Sequence, residues 1–275
     1  MLRKIYFFFI LCLLSCSSDE QVLIENQFKS DDVLYKEAFN ELRAGNYQES
    51  SDLFNELDLM YPYSRWAAKG QLMSGFALYQ ANKYEEAIFA LNKFINLNPN
   101  DKNLDYAFYL KGYCYYERMN EVSRDQVISK KAIQTFNELK NKYPNSKYSL
   151  KAVNHIKLLN NQLAGYEMNV GKFYQSRNKF LAAILRYKTI LKKHKNSAQI
   201  PESLYRILEC YISIGLQEQA IKVASIIKYN FPKSIWYDQT INIIKSSNID
   251  ISELEKNQKS NEVDLKIVDF EKFDF

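Results

Sequence analysis

Residues 71–101 read QLMSGFALYQANKYEEAIFALNKFINLNPND, and this stretch decides the fold. Its first half is apolar around a small residue, Gly75, and its second half carries Ala87, Leu91 and Phe94. Spacings of i, i+4 and i+7 place side chains on one face of a helix, which is then buried. Pro99 follows, and a proline disfavours helical backbone at the residue before it. The stretch therefore predicts two amphipathic helices joined by a turn at NKY.

The same pattern recurs in four further segments, at 34–64, 108–146, 166–197 and 204–234. The small residue of the first helix is Ala38, Gly112 or Gly171, whereas the last segment has Leu208 there. The second helices repeat the buried stripe as Ser50/Phe54/Leu57, Ala132/Phe136/Leu139, Ala183/Tyr187/Ile190 and Ala220/Ala224/Ile227. The helix-ending prolines are Pro62, Pro144 and Pro232, with Lys195 at the equivalent place of the fourth segment. Two residues later come candidate caps for the next helix, Ser64, Asp101, Ser146, Ser197 and Ser234.

Five tandem segments of this kind resemble the tetratricopeptide repeat. No single repeat buries its own apolar face, but stacked neighbours do. We therefore expect an all-α protein, a right-handed superhelical solenoid of about five helix-turn-helix repeats in residues 31–246, with 235–246 as a C-terminal capping helix. An interruption near NEVSRDQVIS (120–129) lengthens repeat three, and SKYSLKAVNHIKLLNNQLAG (146–165) predicts a long helix that enters repeat four.

Composition narrows the function classes. The 275 residues include only 7 Gly and 5 Pro, which disfavours a β-sandwich rich in tight turns. The formal charge of +5 comes from interspersed Lys, Asp and Glu, so no stripe for nucleic acid is predicted. Cys114 and Cys210 fall two repeats apart, beyond the reach of a disulfide, and we interpret both as small buried hydrophobes.

The N-terminus predicts a signal sequence. Arg3 and Lys4 precede ten apolar residues, 5–14, which is too short for a span of about 20 residues but suits a signal core. The following Leu-Ser-Cys resembles a bacterial lipobox, which implies cleavage after residue 15 and lipidation of Cys16. Ser17, instead of an Asp, implies the outer membrane. Alternatives are an ordinary secretory signal with a chance cysteine, or an N-terminal anchor. We expect signal peptide 1–15, tether 16–30, repeat domain 31–246 and a largely disordered tail 247–275.

The lipobox and the irregular repeats together resemble the BamD family, the tetratricopeptide lipoproteins of the outer-membrane β-barrel assembly machinery. The telling stretches are LNPNDKNLDYAFYLKGYCYY (97–116), the SRD (123–125) interruption and LAGYEMNVGKFYQSRNKFLAAILRY (163–187). The resemblance implies an assembly factor at the outer membrane, lipid-anchored and facing the periplasm. It implies as partners the POTRA domains of a BamA-like insertase, other lipoproteins of the machinery, and unfolded outer membrane proteins received by their C-terminal aromatic signal. The departures are Lys195 and the long tail.

Two candidate binding sites follow. In such a repeat the first helices face the concave side, where phenol rings offer contact area and a hydroxyl to an extended peptide. The expected substrate-peptide groove consists of Tyr35, Phe39, Phe76, Tyr79, Tyr109, Tyr113 and Tyr116. Packing between repeats is the alternative role for each ring. The expected partner-docking cations are Arg186, Lys192 and Lys193, whose alternative role is a solvated surface.

Catalytic patterns are not found in the sequence. The two histidines, His155 and His194, fit no HExxH or zinc spacing, and GYEMNVGKF (165–173) has one residue too many for a phosphate loop. We expect no enzyme, no metal and no cofactor besides the lipid on Cys16. The alternatives are another tetratricopeptide lipoprotein, such as a secretin pilotin or a cell-envelope organiser, and a peptidoglycan-associated enzyme. The sequence leaves open whether the tail end, IVDFEKFDF (267–275), occupies the groove.

Overall fold

The computed structural model describes residues 29–121 and 126–249, and the regular secondary structure in these ranges is α-helical throughout. The helices in these ranges are α1 (Asp31–Ala44), α2 (Tyr47–Met60), α3 (Ala67–Gln80), α4 (Tyr84–Leu97), α5 (Leu104–Glu121), α6 (Gln126–Lys142), α7 (Lys147–Gln175), α8 (Phe180–Lys193), α9 (Ile200–Ser213), α10 (Gln217–Asn230) and α11 (Ile235–Ser246). The all-α class and the helix-turn-helix repeat are as predicted. The expectations for 1–15, Cys16, SRD (123–125) and most of the tail lie outside the described residues.

The chain forms two compact units, 1–114 and 115–275. In unit 1, α1 packs on α2, α2 on α3 and α3 on α4. In unit 2, consecutive helices from α6 to α11 pack on one another, and α11 also covers α9. The first helices α3, α7 and α9 thus each contact the second helix of their own repeat and that of the preceding repeat, as stacked repeats require.

The predicted stripes form the cores of both units. Phe54 and Leu57 of α2, with Leu91 and Phe94 of α4, are fully buried in unit 1. In unit 2 the fully buried stripe residues are Phe136, Leu139, Tyr187, Ile190 and Ile227. Burying each such side chain contributes about 1.5–3 kcal/mol, so these stripes account for the pairing of the helices.

Small residues permit close crossings of the helices. A Cβ added at Gly75 would lie 2.9 Å from the side chain of Leu91, and one at Gly171 would lie 2.3 Å from the ring of Tyr187. In the fifth repeat the large side chain is on the first helix and the small one is on the second helix. Leu208 of α9 and Ala224 of α10 are buried in the same cluster. The departure at Leu208 is therefore a large-small exchange within the same packing arrangement.

The turns inside the repeats use left-handed backbone at one equivalent position. Gly45 (φ 85°) and Gly215 (φ 77°) occupy it in the first and fifth repeats. Asn82 (φ 60°) and Asn178 (φ 59°) occupy it in the second and fourth. Glycine and asparagine are the residues that adopt this conformation most readily, which explains the GNY, NKY, NKF and GLQ turns.

The turns between repeats are held by the predicted capping residues. The Oγ atoms of Ser146 and Ser234 accept hydrogen bonds from backbone N–H groups in the first turns of α7 and α11. Ser64, Asp101 and Ser197 accept instead from the N–H two residues on, within the turn that precedes the helix. The fourth repeat lacks the proline, but α8 still ends at the equivalent place. The His194 N–H donates a hydrogen bond to the Ile190 carbonyl at 2.9 Å and caps the end of α8.

The predicted long helix is α7, which has 29 residues. At the edges of the repeat domain, Lys29 Nζ donates to Glu37 at 2.6 Å. The Tyr61 hydroxyl donates to the carbonyl of Lys29 at 2.9 Å. At the other end, Ile249 is buried in the core of unit 2, three residues after α11.

Candidate functional site

Tyr35 and Phe39 form an aromatic cluster with Trp66 in unit 1. The Tyr35 ring stacks on Trp66 with centroids 4.2 Å apart, and Phe39 stacks 6.3 Å from Tyr35. The Lys69 Nζ lies 5.0 Å from the centroid of Tyr35. Because only 8% of Tyr35 is exposed, it packs between helices, and its buried hydroxyl makes no hydrogen bond. Phe39 is only partly buried, and the Arg43 guanidinium lies over its ring, 5.6 Å from the centroid.

A second cluster joins Phe76, Tyr79, Tyr109 and Tyr113. Tyr79 contacts Phe76 at 6.4 Å, and it meets Tyr113 edge-on at 5.9 Å between centroids. Tyr109 stacks on Tyr113 at 6.0 Å. All four side chains are partly exposed, so the rings form a continuous aromatic surface on α3 and α5. Such a surface offers contact area and hydroxyl groups to a bound chain at low entropic cost. We call these four residues the tyrosine surface.

Tyr116 belongs to unit 2 and contacts a histidine. Its ring meets His155 edge-on at 5.0 Å, and His155 stacks on Phe136 at 5.3 Å. Burial lowers the pKa of His155, and the nearby carboxylate of Glu117 only partly opposes this. The imidazole is therefore neutral at pH 7, and Tyr116 helps to pack it.

The three predicted docking cations divide between two faces of α8. The Arg186 guanidinium lies 3.3 Å from the Glu167 carboxylate of α7. Lys193, seven residues after Arg186, lines a cavity of about 770 Å³ together with Glu167. Lys192 is exposed and lies seven residues after Leu185, on the face that carries the exposed Leu181 and Leu185.

The cavity beside Lys193 lies between α6 and α8, with α7 as its floor, and we call it the α6–α8 groove. Its walls are rich in amides and lysines, including Gln134, Asn137, Asn141, Asn160, Lys130 and Lys142, with Glu138 and Glu167 as the carboxylates. The His194 Nδ1 lies 3.3 Å from Asn160 Oδ1, and burial lowers the pKa of His194. The groove therefore combines hydrogen-bonding groups with a small excess of positive charge. Sequence reasoning located Lys193 but missed the amides, which come from two different helices, α6 and α7.

Unit 2 also contains a network of salt bridges on α7 and α9. Lys172 Nζ is 2.5 Å from Glu202, and Arg206 lies 2.8 Å from Glu209. The Gln175 amide donates to Glu209 and accepts from the hydroxyl of Tyr187. Each carboxylate of this network is thus paired with a cation, and the pairs link α7 to α9. Burial also raises the pKa of the Cys210 thiol to about 12, which keeps it protonated and unreactive.

Within residues 29–121 and 126–249, no cluster of His, Cys, Asp and Glu has the arrangement of a metal site. None of the helices there is both long and apolar enough to span a membrane.

Comparison with known proteins identifies the family. The model of the YfiO family, described as outer membrane lipoprotein, matches residues 27–226. The outer membrane protein assembly factor BamD of Caulobacter vibrioides is 37% identical over 79% of this chain and 72% of its own length. BamD of Rickettsia prowazekii is 33% identical over 78% of this chain and 85% of its own length.

Among solved structures, the TPR2AB domain of yeast Sti1 superposes with a TM-score of 0.43 and 14% identity, covering 88% of this chain and 98% of that one. The family match covers most of the repeat domain and includes both aromatic clusters and the cations of α8. The chain therefore belongs to the BamD family of outer membrane lipoproteins, whose curated members are outer membrane protein assembly factors.

Proposed function

We propose that this chain serves outer membrane protein assembly as a two-sided scaffold. Unit 1 receives unfolded β-barrel proteins by their C-terminal aromatic signal, and unit 2 docks on the POTRA domains of a BamA-like insertase. The observation that carries the proposal is the tyrosine surface, four partly exposed rings in mutual contact within a family of assembly factors.

The tyrosine surface suits an extended peptide that carries aromatic side chains. Ring-to-ring contacts prefer the edge-on and offset geometries that Tyr79, Tyr109 and Tyr113 already adopt, so a further aromatic ring can extend the same array. The phenol hydroxyls can reach the peptide backbone. Each aromatic pair adds about 0.5–1.5 kcal/mol beyond the area it buries, and loss of two rings is therefore measurable.

The test for client binding uses a synthetic peptide that ends in an alternating strand sequence with a terminal Phe. Tyr79→Ala combined with Tyr113→Ala should weaken its binding at least tenfold, measured by fluorescence anisotropy. The matched control is Tyr229→Ala, an exposed tyrosine of α10, which should leave binding unchanged. Replacing the terminal Phe of the peptide by Ala should reproduce the loss. Equal binding by the double variant and the control would contradict the assignment.

Docking of the insertase is proposed for the cationic helix α8. Lys192 is exposed and Lys193 opens onto the α6–α8 groove, so both are accessible to carboxylates of a partner. Charge reversal by Lys192→Glu should lower co-purification of the POTRA-bearing protein severalfold. Lys233→Glu, an exposed lysine in the turn before α11, is the matched control. Unchanged co-purification of the Lys192 variant would remove Lys192 from the docking site.

Anchoring is proposed through a lipid on Cys16, with the repeats in the periplasm. Two or more acyl chains hold a protein stably on a bilayer, whereas one chain does so only marginally. Cys16→Ser should therefore move the protein from the outer membrane fraction to the soluble periplasmic fraction. Retention of the variant in the membrane, with all partners removed by high salt, would argue against lipid anchoring.

A further inference from the structure

Unit 1 contains a cavity that has no role in the proposed function. It measures about 1090 Å³ and lies between the second helices α2 and α4, with the start of α3 as its floor. We call it the α2–α4 groove. Four exposed large apolar side chains line it, Leu59, Tyr63, Phe89 and Leu97.

These four side chains are the exposed apolar surface of unit 1. Leu59 is 83% exposed, Phe89 76% and Leu97 60%, and Tyr63 is fully exposed. Among the residues described in unit 1, the remaining large apolar side chain with comparable exposure is Val33, at 42%. Single exposed apolar residues are ordinary, but their convergence on one groove marks an interaction surface. The stripes that hold the repeats together leave Leu59, Phe89 and Leu97 on another face of α2 and α4, and Tyr63 lies in the turn after α2, so folding does not account for their exposure.

The rim of the α2–α4 groove is acidic. Asp52, Glu85 and Glu86 line it, whereas Asp58 and the cation Lys93 lie within the groove. Lys93 forms an ion pair with Asp58, which is only 8% exposed and also accepts a hydrogen bond from Gln71 at 2.6 Å. Lys93 is thus neutralised inside the groove. At the rim Glu86 lies 3.7 Å from Lys83, and Asp52 and Glu85 leave the rim with a net negative charge.

We infer that the α2–α4 groove binds a cationic amphipathic helix of a partner polypeptide. The groove is bounded by two helices of 14 residues, each about 20 Å long, which matches a partner helix of similar length. Such a helix presents apolar anchors at i, i+4 and i+7 to the groove and its lysines or arginines to the carboxylate rim. A second copy that offers the same face would bring like charges together, which disfavours a symmetric dimer through this groove.

The probe is a labelled synthetic 14-residue helix with Leu at i, i+4, i+7 and i+11 and Lys at the flanking positions. Its counterpart has Glu in place of every Lys. Binding to the full-length protein is measured by anisotropy in a non-ionic detergent, with detergent alone as the blank. The lysine probe should bind at least tenfold more tightly than the glutamate probe, and the preference should shrink as salt is raised.

Two groove variants localise the binding. Leu59→Ala with Phe89→Ala removes exposed side chains, so the fold is preserved, and it should weaken the lysine probe at least tenfold. The matched control removes two equally exposed leucines of unit 2, Leu150→Ala with Leu181→Ala, and should change nothing. Glu85→Lys with Glu86→Lys should reverse the preference between the two probes.

Several outcomes would overturn the inference. Equal binding of both probes would reduce the groove to an unselective apolar surface. Equal effects of the groove variant and the leucine control would move the binding elsewhere. Sedimentation that shows self-association lost with Phe89→Ala would assign the groove to a second copy. The inference is independent of client binding. The variant with Leu59→Ala and Phe89→Ala should bind the Phe-terminated client peptide as tightly as the unchanged protein does.

Discussion

The second helices of the two units share one buried pattern and carry opposite charges. Helices α2 and α4 of unit 1 hold six carboxylates and one lysine: Glu49, Asp52, Glu56, Asp58, Glu85, Glu86 and Lys93. Helices α6 and α8 of unit 2 hold eight cations and one glutamate: Lys130, Lys131, Lys140, Lys142, Arg186, Lys188, Lys192, Lys193 and Glu138. The repeat constrains the buried stripe and leaves the remaining positions free. The grooves between second helices therefore differ, apolar and acidic in unit 1 but rich in amides and cations in unit 2.

The two units also differ in their cores, at the helix crossings that contain a glycine. The crossing at Gly171 in unit 2 gives the largest predicted effect. Gly171→Ala would force a methyl group to 2.3 Å from the ring of Tyr187, whose hydroxyl is tied to Gln175. The ring cannot withdraw without breaking that bond, so we expect a loss of about 3 kcal/mol in the free energy of unfolding. Urea denaturation followed by circular dichroism measures it.

Two matched glycines sharpen this prediction. Gly75→Ala in unit 1 meets the flexible side chain of Leu91 at 2.9 Å and should cost about 1 kcal/mol. Gly165→Ala, on the same helix as Gly171, meets nothing within 4 Å and should stabilise by up to about 1 kcal/mol. If the Gly171 and Gly75 variants lose equal stability, the rigidity assigned to the Tyr187 crossing is wrong.

The second effect comes from the salt-bridge network of unit 2. Glu202 is 15% exposed and accepts from both Lys172 and Arg206. Glu202→Gln leaves these two cations without their shared carboxylate, and we expect a loss of about 2 kcal/mol in the free energy of unfolding. Glu218→Gln, which breaks an exposed pair with Lys222, is the control and should cost under about 0.5 kcal/mol. Equal losses from the two variants would mean that burial of Glu202 adds nothing.

The third effect separates the units by pH. Both histidines of the chain lie in unit 2, and burial lowers the pKa of each. Below the unfolded value of about 6.5 the unfolded chain binds more protons than the folded one, so unit 2 loses stability as pH falls through and below that value. Each histidine contributes at most about 1.4 kcal/mol per pH unit.

Hydrogen exchange at pH 7 and pH 5.5, corrected for intrinsic rates, measures this difference. Amides of α7 and α8 should lose protection, and amides of α2 to α4 should keep it. His155→Phe, which retains an aromatic ring between Phe136 and Tyr116, should remove part of the dependence. Equal loss of protection in both units would attribute the effect to other groups.

The sequence was sufficient to predict the repeats and insufficient to predict their surfaces. Stripes such as Ala87, Leu91 and Phe94 can be predicted because buried side chains recur at helical spacing. The turns inside the repeats can be predicted because Gly or Asn occupies their left-handed position. The pairing of Arg186 with Glu167 was not visible, since the two residues lie on different helices and 19 positions apart.

The candidate sites show the same limit. Tyr79 and Tyr113 were predicted to share a surface, and the structure brings their rings together. Tyr35 packs against Trp66 instead. Trp66 lies in the turn after α2 and contacts a residue of α1, and no local sequence pattern encodes this contact. The charge contrast between α2–α4 and α6–α8 could have been read from the sequence once the helices were assigned. The α2–α4 groove could not, because Leu59 and Phe89 converge only after the repeats stack.

The smallest effect tests the charge contrast at its exception in unit 1. Lys93 is the single cation of α2 and α4, and its partner Asp58 is buried while Lys93 is 48% exposed. Lys93→Met should therefore cost about 1 kcal/mol in unfolding free energy, against about 0.3 kcal/mol for Lys142→Met, which breaks an exposed pair in unit 2. The same change makes the α2–α4 groove more acidic, so the lysine probe should bind severalfold more tightly although the protein is less stable. A variant that is destabilised and also binds the probe more weakly would indicate that Lys93 supports the groove by shape, and that its charge does not oppose the partner.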